Sequence, residues 1–229
     1  MTTTLITGAN KGLGLQTVRQ LIAAGHTVYL GARDAERGQR AADEVGARLL
    51  LIDVTDDDSD AAAAATVRDQ VGHLDVVNNA GIIGGTSPAD TTGPDIQRVF
   101  DTNVFGVVRV MHAFLPLLEA ADTPVVVNVS SGLGSMAVTT DPARFESTIR
   151  SLDYNSSKSA VNMLTSQYAK AFPAIKVNAV DPGYTATDLN GHSGHQTIEQ
   201  GAEIIVRMAQ IGADGPTGGY FDSAGTVAW

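Results

Sequence analysis

The 229-residue sequence predicts an α/β domain in which helices cover both faces of a parallel, doubly wound sheet of about seven strands. Short runs rich in β-branched and aliphatic residues alternate with longer helix-like segments along the whole chain. These runs are almost continuously hydrophobic, which is typical of strands buried on both faces. No linker, repeat or change of composition divides the chain, so we expect a single domain over residues 1–229.

The individual elements follow from the same alternation. Asp34 is placed to cap the second helix, and the acidic stretch 56–60 suits the positive end of the third helix dipole. Parallel strands joined by helices require right-handed crossovers, which order the elements along the sheet. The predicted strands are 3–7, 27–31, 48–53, 74–79, 124–130, 175–181 and 218–221, and the predicted helices are about 12–24, 34–45, 57–71, 94–120, 154–171 and 197–210.

Composition limits the function classes. Fifteen basic against 25 acidic residues give a net charge of −10, which argues against nucleic acid or an anionic membrane as partner. No apolar run reaches the roughly 20 residues of a membrane span. The first strand begins too early to leave room for a signal peptide, and the chain has no cysteine, so we expect a cytoplasmic protein. The five histidines show no ligand spacing, and no metal site is expected.

A glycine-rich turn separates the first strand from the first helix. Gly8, Gly12 and Gly14 are spaced G-x-x-x-G-x-G. Such a turn lets the backbone approach a pyrophosphate closely, and the helix N-terminus presents free N–H groups to the anion. Together with the βαβ series that follows, the turn predicts a Rossmann-type dinucleotide site.

The end of the second strand favours NADP(H) over NAD(H). An NAD site usually places a carboxylate here to bind the ribose 2′-hydroxyl. This chain has Ala32 followed by Arg33, and Lys11 lies in the glycine turn. Two cations suit a 2′-phosphate, although the neighbouring Asp34 keeps NAD(H) open as the alternative.

Two further strand ends predict cofactor contacts. Asp53 closes the third strand, where its carboxylate could accept from an adenine amino group, and Val54 could flank the ring. Asn79, Ala80 and Gly81 follow the fourth strand, at the carboxyl edge where ligands bind in such folds. We expect Asn79 to support the strands, and Ala80 and Gly81 to leave space for the cofactor.

Tyr154 and Lys158 lie four residues apart on a predicted helix, so both side chains share one face. A cation there favours the phenolate, and together with a nicotinamide cation it is expected to lower the pKa of the tyrosine from about 10 toward neutrality. An acid/base beside a dinucleotide predicts hydride transfer between a nicotinamide and a carbonyl or alcohol carbon.

These motifs together resemble the short-chain dehydrogenase/reductase family over essentially the whole chain. Arg33 and Lys11 resemble its NADP(H)-preferring members, carbonyl reductases among them. The matching motifs are TGANKGLG at 7–14, LIDV at 51–54, NNAG at 78–81, Asn103 in DTNVFG, VSSGLG at 129–134, YNSSK at 154–158 and DPGYTAT at 181–187.

The resemblance implies a role for each matching residue. Tyr154 would be the general acid or base, Ser131 would polarise the carbonyl, and Lys158 would bind the nicotinamide ribose. Asn103 would hold a water of the proton relay. The cofactor set implied by the same motifs is Gly8, Asn10, Lys11, Gly12, Leu13, Gly14, Arg33, Asp53, Val54, Asn79, Ala80, Gly81, Tyr154, Lys158, Pro182, Gly183, Thr185 and Thr187.

Several points stay open at this stage. Ser130 could replace Ser131, and the protein could be a non-catalytic NADP(H)-binding regulator or catalyse another reaction, such as epimerisation, on the same scaffold. Ser131 and Tyr154 are 23 residues apart, longer than is usual in the family. The extra segment, 141–153, is expected to line the substrate mouth through Phe145, Ile149 and Leu152.

The loop at about 187–197 is expected to act as a lid over a small carbonyl or alcohol substrate. His192 and His195 are expected to lie on the surface or in this lid. Trp229 is expected to dock on a pocket rim or a neighbouring subunit. The sequence leaves a monomer, a dimer and a tetramer open.

Overall fold

A computed structural model describes residues 2–85 and 87–229. All the strand pairs of its seven-stranded sheet are parallel, in the order β3-β2-β1-β4-β5-β6-β7. The order reverses between β1 and β4, where a doubly wound sheet opens its ligand crevice. The predicted fold class is therefore confirmed. The strands are β1 Thr3–Ile6, β2 Thr27–Ala32, β3 Arg48–Leu51, β4 Asp75–Asn78, β5 Val125–Val129, β6 Lys176–Val180 and β7 Tyr220–Phe221.

Helices cover both faces of the sheet. One hydrophobic core packs under α3, α5 and α7, and the other packs under α1, α2 and α8. Asp34 caps α2 as predicted, because its side chain accepts from the Arg37 amide. The α-helices are α1 Gly12–Ala23, α2 Ala35–Val45, α3 Asp57–Gln70, α4 Gly93–Phe100, α5 Gly106–Glu119, α6 Met136–Thr140, α7 Leu152–Ala171 and α8 Ile198–Ala209.

The predicted single helix over 94–120 is wrong in its middle. A π-helical turn, Asp101–Phe105, separates α4 from α5. Such turns carry an extra residue, break the regular hydrogen-bond ladder and are frequent at functional sites. The apolar periodicity continues across the turn, so the sequence pattern alone did not reveal it.

Several short elements were not predicted from the sequence. Helix α6 follows a 3-10 turn at Gly132–Gly134, and a second 3-10 turn covers Phe145–Thr148. Helix α7 begins at Leu152, two residues before the predicted start. Within the described ranges, no helix is long and apolar enough to cross a membrane.

Candidate active site

The glycine turn leaves no room for side chains at two of its positions. Gly8 has a φ of +61°, and a Cβ there would lie 2.8 Å from the Ala80 Cα. A Cβ on Gly14 would lie 2.5 Å from the Asn79 Nδ2 and 2.9 Å from the Gly8 carbonyl oxygen. Gly12 has a φ of +57°, a left-handed conformation that favours glycine. The turn is therefore a bare backbone cradle at the start of α1, as a pyrophosphate requires.

Hydrogen bonds to the segment just after β4 hold this cradle. The Asn79 Nδ2 donates to the carbonyl oxygens of Thr7, at 2.9 Å, and Gly8, at 3.2 Å. In return, the Thr7 hydroxyl accepts from the amides of Asn79, at 3.1 Å, and Ala80, at 3.0 Å. Asn79 was expected to support the strands, and its side chain instead supports the glycine turn beyond β1. Thr7 was missed as a contributor, because its partners are more than 70 residues away in the chain.

Basic side chains cluster near the carboxyl end of β2, beside the glycine turn. Arg33 is exposed just beyond the end of β2. A cavity of about 390 Å³ lies beside the turn. Its lining residues are Asn10, Lys11, Arg37, Arg40, Ala41 and Glu44. Arg37 and Arg40 were not singled out from the sequence, although they follow Arg33 on the first turns of α2.

Three of these basic side chains form ion pairs with neighbouring carboxylates. Arg37 pairs with Asp34 at 2.8 Å, and Arg40 pairs with Glu36 at 2.9 Å. Lys11 was expected to face the 2′-phosphate, but its Nζ lies 2.9 Å from an Asp188 oxygen in the predicted lid. These pairs are exposed, so they are weak and exchangeable.

Asp53 and Val54 lie beyond the end of β3. The Asp53 Oδ1 accepts from the Thr55 amide at 3.1 Å and from its hydroxyl at 2.7 Å, which fixes the carboxylate beside the crevice. Val54 is buried and packs closely on Gly106, where a Cβ would lie 3.0 Å from it. This close contact ties the segment after β3 to the start of α5.

Tyr154 and Lys158 share one face of α7, as predicted. The Lys158 Nζ lies 5.6 Å from the centre of the Tyr154 ring and donates to the Val129 carbonyl at 2.7 Å. Lys158 is only 4 % exposed. The Nζ also lies 3.6 Å from the position of a Cβ on Gly81, so the bare backbone after β4 faces the ammonium group.

The expected lowering of the tyrosine pKa is wrong for the protein alone. Burial raises the pKa of Tyr154 to about 12; interaction with the Ser131 hydroxyl acts against this, and the charge of Asp181 adds to it. Burial also lowers the pKa of Lys158 to about 8. The expectation combined the lysine charge with a nicotinamide cation; in the protein alone, the cost of removing a phenolate from water dominates the pKa of Tyr154.

The structure distinguishes the two candidate serines. Ser130 is 3 % exposed, and its hydroxyl donates to the Asn162 Oδ1 at 2.6 Å. Ser131 begins the 3-10 turn after β5, and its hydroxyl interacts with Tyr154. The geometry therefore favours Ser131 as the residue that meets a substrate.

Asn103 lies in the π-helical turn with its whole amide engaged. The Oδ1 accepts from the Ile82 amide at 2.8 Å, and the Nδ2 donates to the Ile82 carbonyl at 2.9 Å. The Nδ2 also donates to the Ser157 hydroxyl at 3.0 Å. Asn103 thus connects the backbone after β4 to α7, next to Lys158, while its role toward a water stays a prediction.

The loop after β6 runs over the glycine turn. Gly183, which follows Pro182, has a φ of +76°. The buried Thr185 hydroxyl donates to the Pro182 and Gly183 carbonyls, each at 3.3 Å. Thr187 precedes the short turn Asp188–Asn190, where its amide donates to the Asn190 Oδ1 at 3.2 Å, and its Cγ2 lies 4.0 Å from the position of a Cβ on Gly12. Thr187 therefore lies closer to the phosphate cradle than Thr185.

Aromatic rings join the extra segment to the predicted lid. Phe145 is 57 % exposed, and its ring centre lies 5.6 Å from that of Tyr184. Tyr184 contacts His195 edge-on at 5.9 Å. Leu152 is exposed, whereas Ile149 is half-buried. We call Phe145, Tyr184 and His195 the aromatic bridge.

The C-terminal residue docks within its own chain. The Trp229 ring stacks on Tyr220 at 5.4 Å, and its carbonyl accepts from the Ala137 amide at 3.2 Å. No group of three or more His, Asp or Glu side chains in the described part of the chain is arranged to hold a metal ion.

Known proteins share this sequence and fold. A family model described as short chain dehydrogenase matches residues 2–198. Short-chain dehydrogenase anuI from Penicillium roqueforti is 37% identical over 223 residues, which cover 91% of this chain and 88% of that protein.

Two solved structures are similar over nearly their whole length. Salutaridine reductase from Papaver somniferum has a TM-score of 0.86 at 26% identity and covers 97% of this chain and 100% of its own. NADPH-bound carbonyl reductase from chicken fatty liver has a TM-score of 0.88 at 27% identity and covers 99% and 98%. The protein belongs to the short-chain dehydrogenase/reductase family of oxidoreductases.

Proposed function

We propose that the protein interconverts a ketone or aldehyde and an alcohol by hydride transfer, using NADP(H) and Tyr154 as acid/base. One observation carries this proposal above others: the Lys158 ammonium lies 5.6 Å from the centre of the Tyr154 ring and 3.6 Å from the position of a Cβ on Gly81, just after β4. A dinucleotide bound at the glycine cradle of Gly8 and Gly14 would extend toward that point.

The cofactor supplies or accepts the hydride when it is bound. In reduction, the Tyr154 hydroxyl donates a proton to the carbonyl oxygen, and the Ser131 hydroxyl donates a hydrogen bond to the same oxygen. Lys158 contributes positive charge beside the phenol and is placed to bind ribose hydroxyls near Gly81. In oxidation, the Tyr154 phenolate takes the proton back.

Preference for NADP(H) is supported by charge. Arg33 is exposed at the end of β2, and the neighbouring cavity is lined by Lys11, Arg37 and Arg40. Guanidinium groups bind phosphate with paired hydrogen bonds. The solved carbonyl reductase, 27% identical, carries NADPH.

Exposed apolar side chains around the mouth support an apolar substrate. Phe145 and Tyr184 stand at the junction of the extra segment and the lid. Glu146, which follows Phe145, comes within 3.2 Å of the position of a Cβ on Gly132, beside Ser131. Through Glu146, the aromatic bridge therefore lies next to the turn that carries Ser131, the proposed catalytic serine.

Turnover of the purified protein tests the proposal. We expect NADPH oxidation with members of a ketone and aldehyde panel, and a loss of about 10²–10⁴-fold in kcat for Tyr154→Phe, the usual range for acid/base groups. NADPH affinity should stay unchanged. Tyr168→Phe, on the same helix and stacked on Phe172, is the matched control.

Two results would contradict the proposal. A fully active Tyr154→Phe variant would remove the phenol from the mechanism. Tight NADPH binding by the wild type without turnover of any carbonyl would favour a regulator that uses the cofactor as a signal.

A further inference from the structure

One buried carboxylate touches both turns that carry the proposed chemistry. Asp181 follows β6 and is 9 % exposed. Its Oδ1 accepts from the Gly183 amide at 2.9 Å. Its Oδ2 lies 2.9 Å from the position of a Cβ on Gly132, the residue after Ser131. A single side chain thus contacts the serine turn and the loop that covers the cofactor cradle.

Two backbone amides favour the charged form of this group. Burial raises the pKa of Asp181, while the amides of Gly183 and Gly132 act in the opposite direction. A carboxylate that receives two N–H groups keeps more of its ionised form than burial alone would allow.

Other charged groups surround the same point. Glu146 of the extra segment and Asp222 beyond β7 both raise the pKa of Asp181, and Arg144 lies close enough to interact with Asp181 and Asp222. Arg144 is bound to Glu146 at 3.2 Å, which offsets part of that negative charge. Asp181 is the most buried member of this group and the one that acts on Tyr154.

Two opposite charges act near the Tyr154 phenol. The Lys158 ammonium, on the same helix, lies 5.6 Å from the ring centre, and the Asp181 carboxylate, beside the serine turn, raises the pKa of Tyr154. Tyr220, from β7, is a neutral neighbour: its buried hydroxyl has no hydrogen-bond partner, and burial raises its pKa.

We propose that Asp181 is a positioning residue for the reaction proposed above: its carboxylate clamps the Ser131 turn to the Pro182–Thr185 loop, and its charge acts on the Tyr154 hydroxyl. The inference rests on the proposed function, because it concerns the same phenol. A negative charge near that phenol opposes loss of its proton, so Tyr154 stays an acid to higher pH.

Replacing Asp181 with asparagine separates charge from shape. Asn keeps an oxygen for the Gly183 amide but carries no charge. The alkaline limb of the pH profile for carbonyl reduction should move down by about one pH unit, the size of effect expected for one partly buried charge. Asp181→Ala, which also removes the acceptor, should in addition raise the KM for the carbonyl substrate several-fold.

Asp75→Asn is the matched control. Asp75 is also a buried aspartate, and it accepts from one backbone amide, that of Val125, at 2.9 Å. It lies at the start of β4, at the opposite end of the strands from the proposed site. Its loss should change thermal stability and leave the pH profile in place.

A spectroscopic titration gives a readout that does not need turnover. The tyrosinate absorbance of Tyr154, obtained as the difference from a Tyr154→Phe protein, should show the same downward shift in Asp181→Asn. Should that variant not fold, Asp181→Ser retains a small neutral acceptor and serves in its place. Should neither fold, a Tyr154 pKa below the ordinary tyrosine value of about 10 in the wild type overturns the inference.

The failures are distinguishable. A folded Asp181→Asn protein with an unmoved pH profile and an unmoved tyrosinate titration overturns the role of Asp181 while leaving the reductase intact. A wild type without turnover overturns the proposed function, and the titration still measures the effect of Asp181 on Tyr154.

Discussion

The proposed cofactor cradle and the proposed substrate mouth are built from different materials. The cradle is backbone: left-handed glycines at Gly8 and Gly12, and short bonds from Asn79 and Thr7. The mouth is made of side chains that contact one another at ring distances of 5.6–5.9 Å and keep much of their surface exposed. Because the cradle has no spare volume and the mouth has much, we expect the cradle to tolerate few substitutions and the mouth many.

Filling the cradle should have the largest effect. In Gly14→Ala, the new Cβ would lie 2.8 Å from the Ala9 Cα and 2.9 Å from the Gly8 carbonyl, both backbone atoms that cannot yield cheaply. We expect a loss of about 1–3 kcal/mol in unfolding free energy, as in other overpacked sites, and NADPH binding should weaken at least tenfold. Thermal unfolding and a fluorescence titration measure the two effects.

Gly212→Ala is the control for this substitution, since a Cβ there meets nothing within 4 Å. Equal unfolding free energies and NADPH affinities of the two alanine variants would show that the cradle can accommodate a Cβ despite its close contacts.

Removing a cation at the adenine end should have an intermediate effect. Arg33→Ala is expected to weaken NADPH binding by about 1.5–3 kcal/mol, the range for hydrogen bonds to charged groups, and NADH binding much less. Isothermal titration with both cofactors measures the difference, with the exposed Arg98→Ala on α4 as control. Equal losses for NADPH and NADH would contradict contact with a 2′-phosphate.

Truncating a side chain at the mouth should have the smallest effect, and it should change substrate binding but not cofactor binding. Phe145→Ala removes one member of the aromatic bridge, and we expect KM for bulky apolar ketones to rise about tenfold, as for lost contacts in an apolar pocket. NADPH affinity should not change. Met163→Ala removes a side chain 61 % exposed elsewhere, on α7, and serves as control. An unchanged KM for every substrate would exclude Phe145 from the mouth.

Local patterns were sufficient for the parts of the site that depend on nearby residues. Gly8 and Gly14 are within six residues of each other, and Tyr154 and Lys158 are one helical turn apart, so spacing predicted their geometry. Thr7 and the basic cavity lined by Arg37 and Arg40 were missed, since their significance depends on contacts between distant segments.

The sequence by itself determined the strand–helix alternation, the glycine turn and the tyrosine–lysine face, because each follows from spacing along the backbone. Only the tertiary structure decided that Ser130 is enclosed while Ser131 meets Tyr154, that a π-helical turn carries Asn103, and that Asp181 reaches the serine turn. It also reversed the expected pKa shift of Tyr154. Burial and charge at a point in space are sums over all segments that meet there, and no local pattern contains that sum.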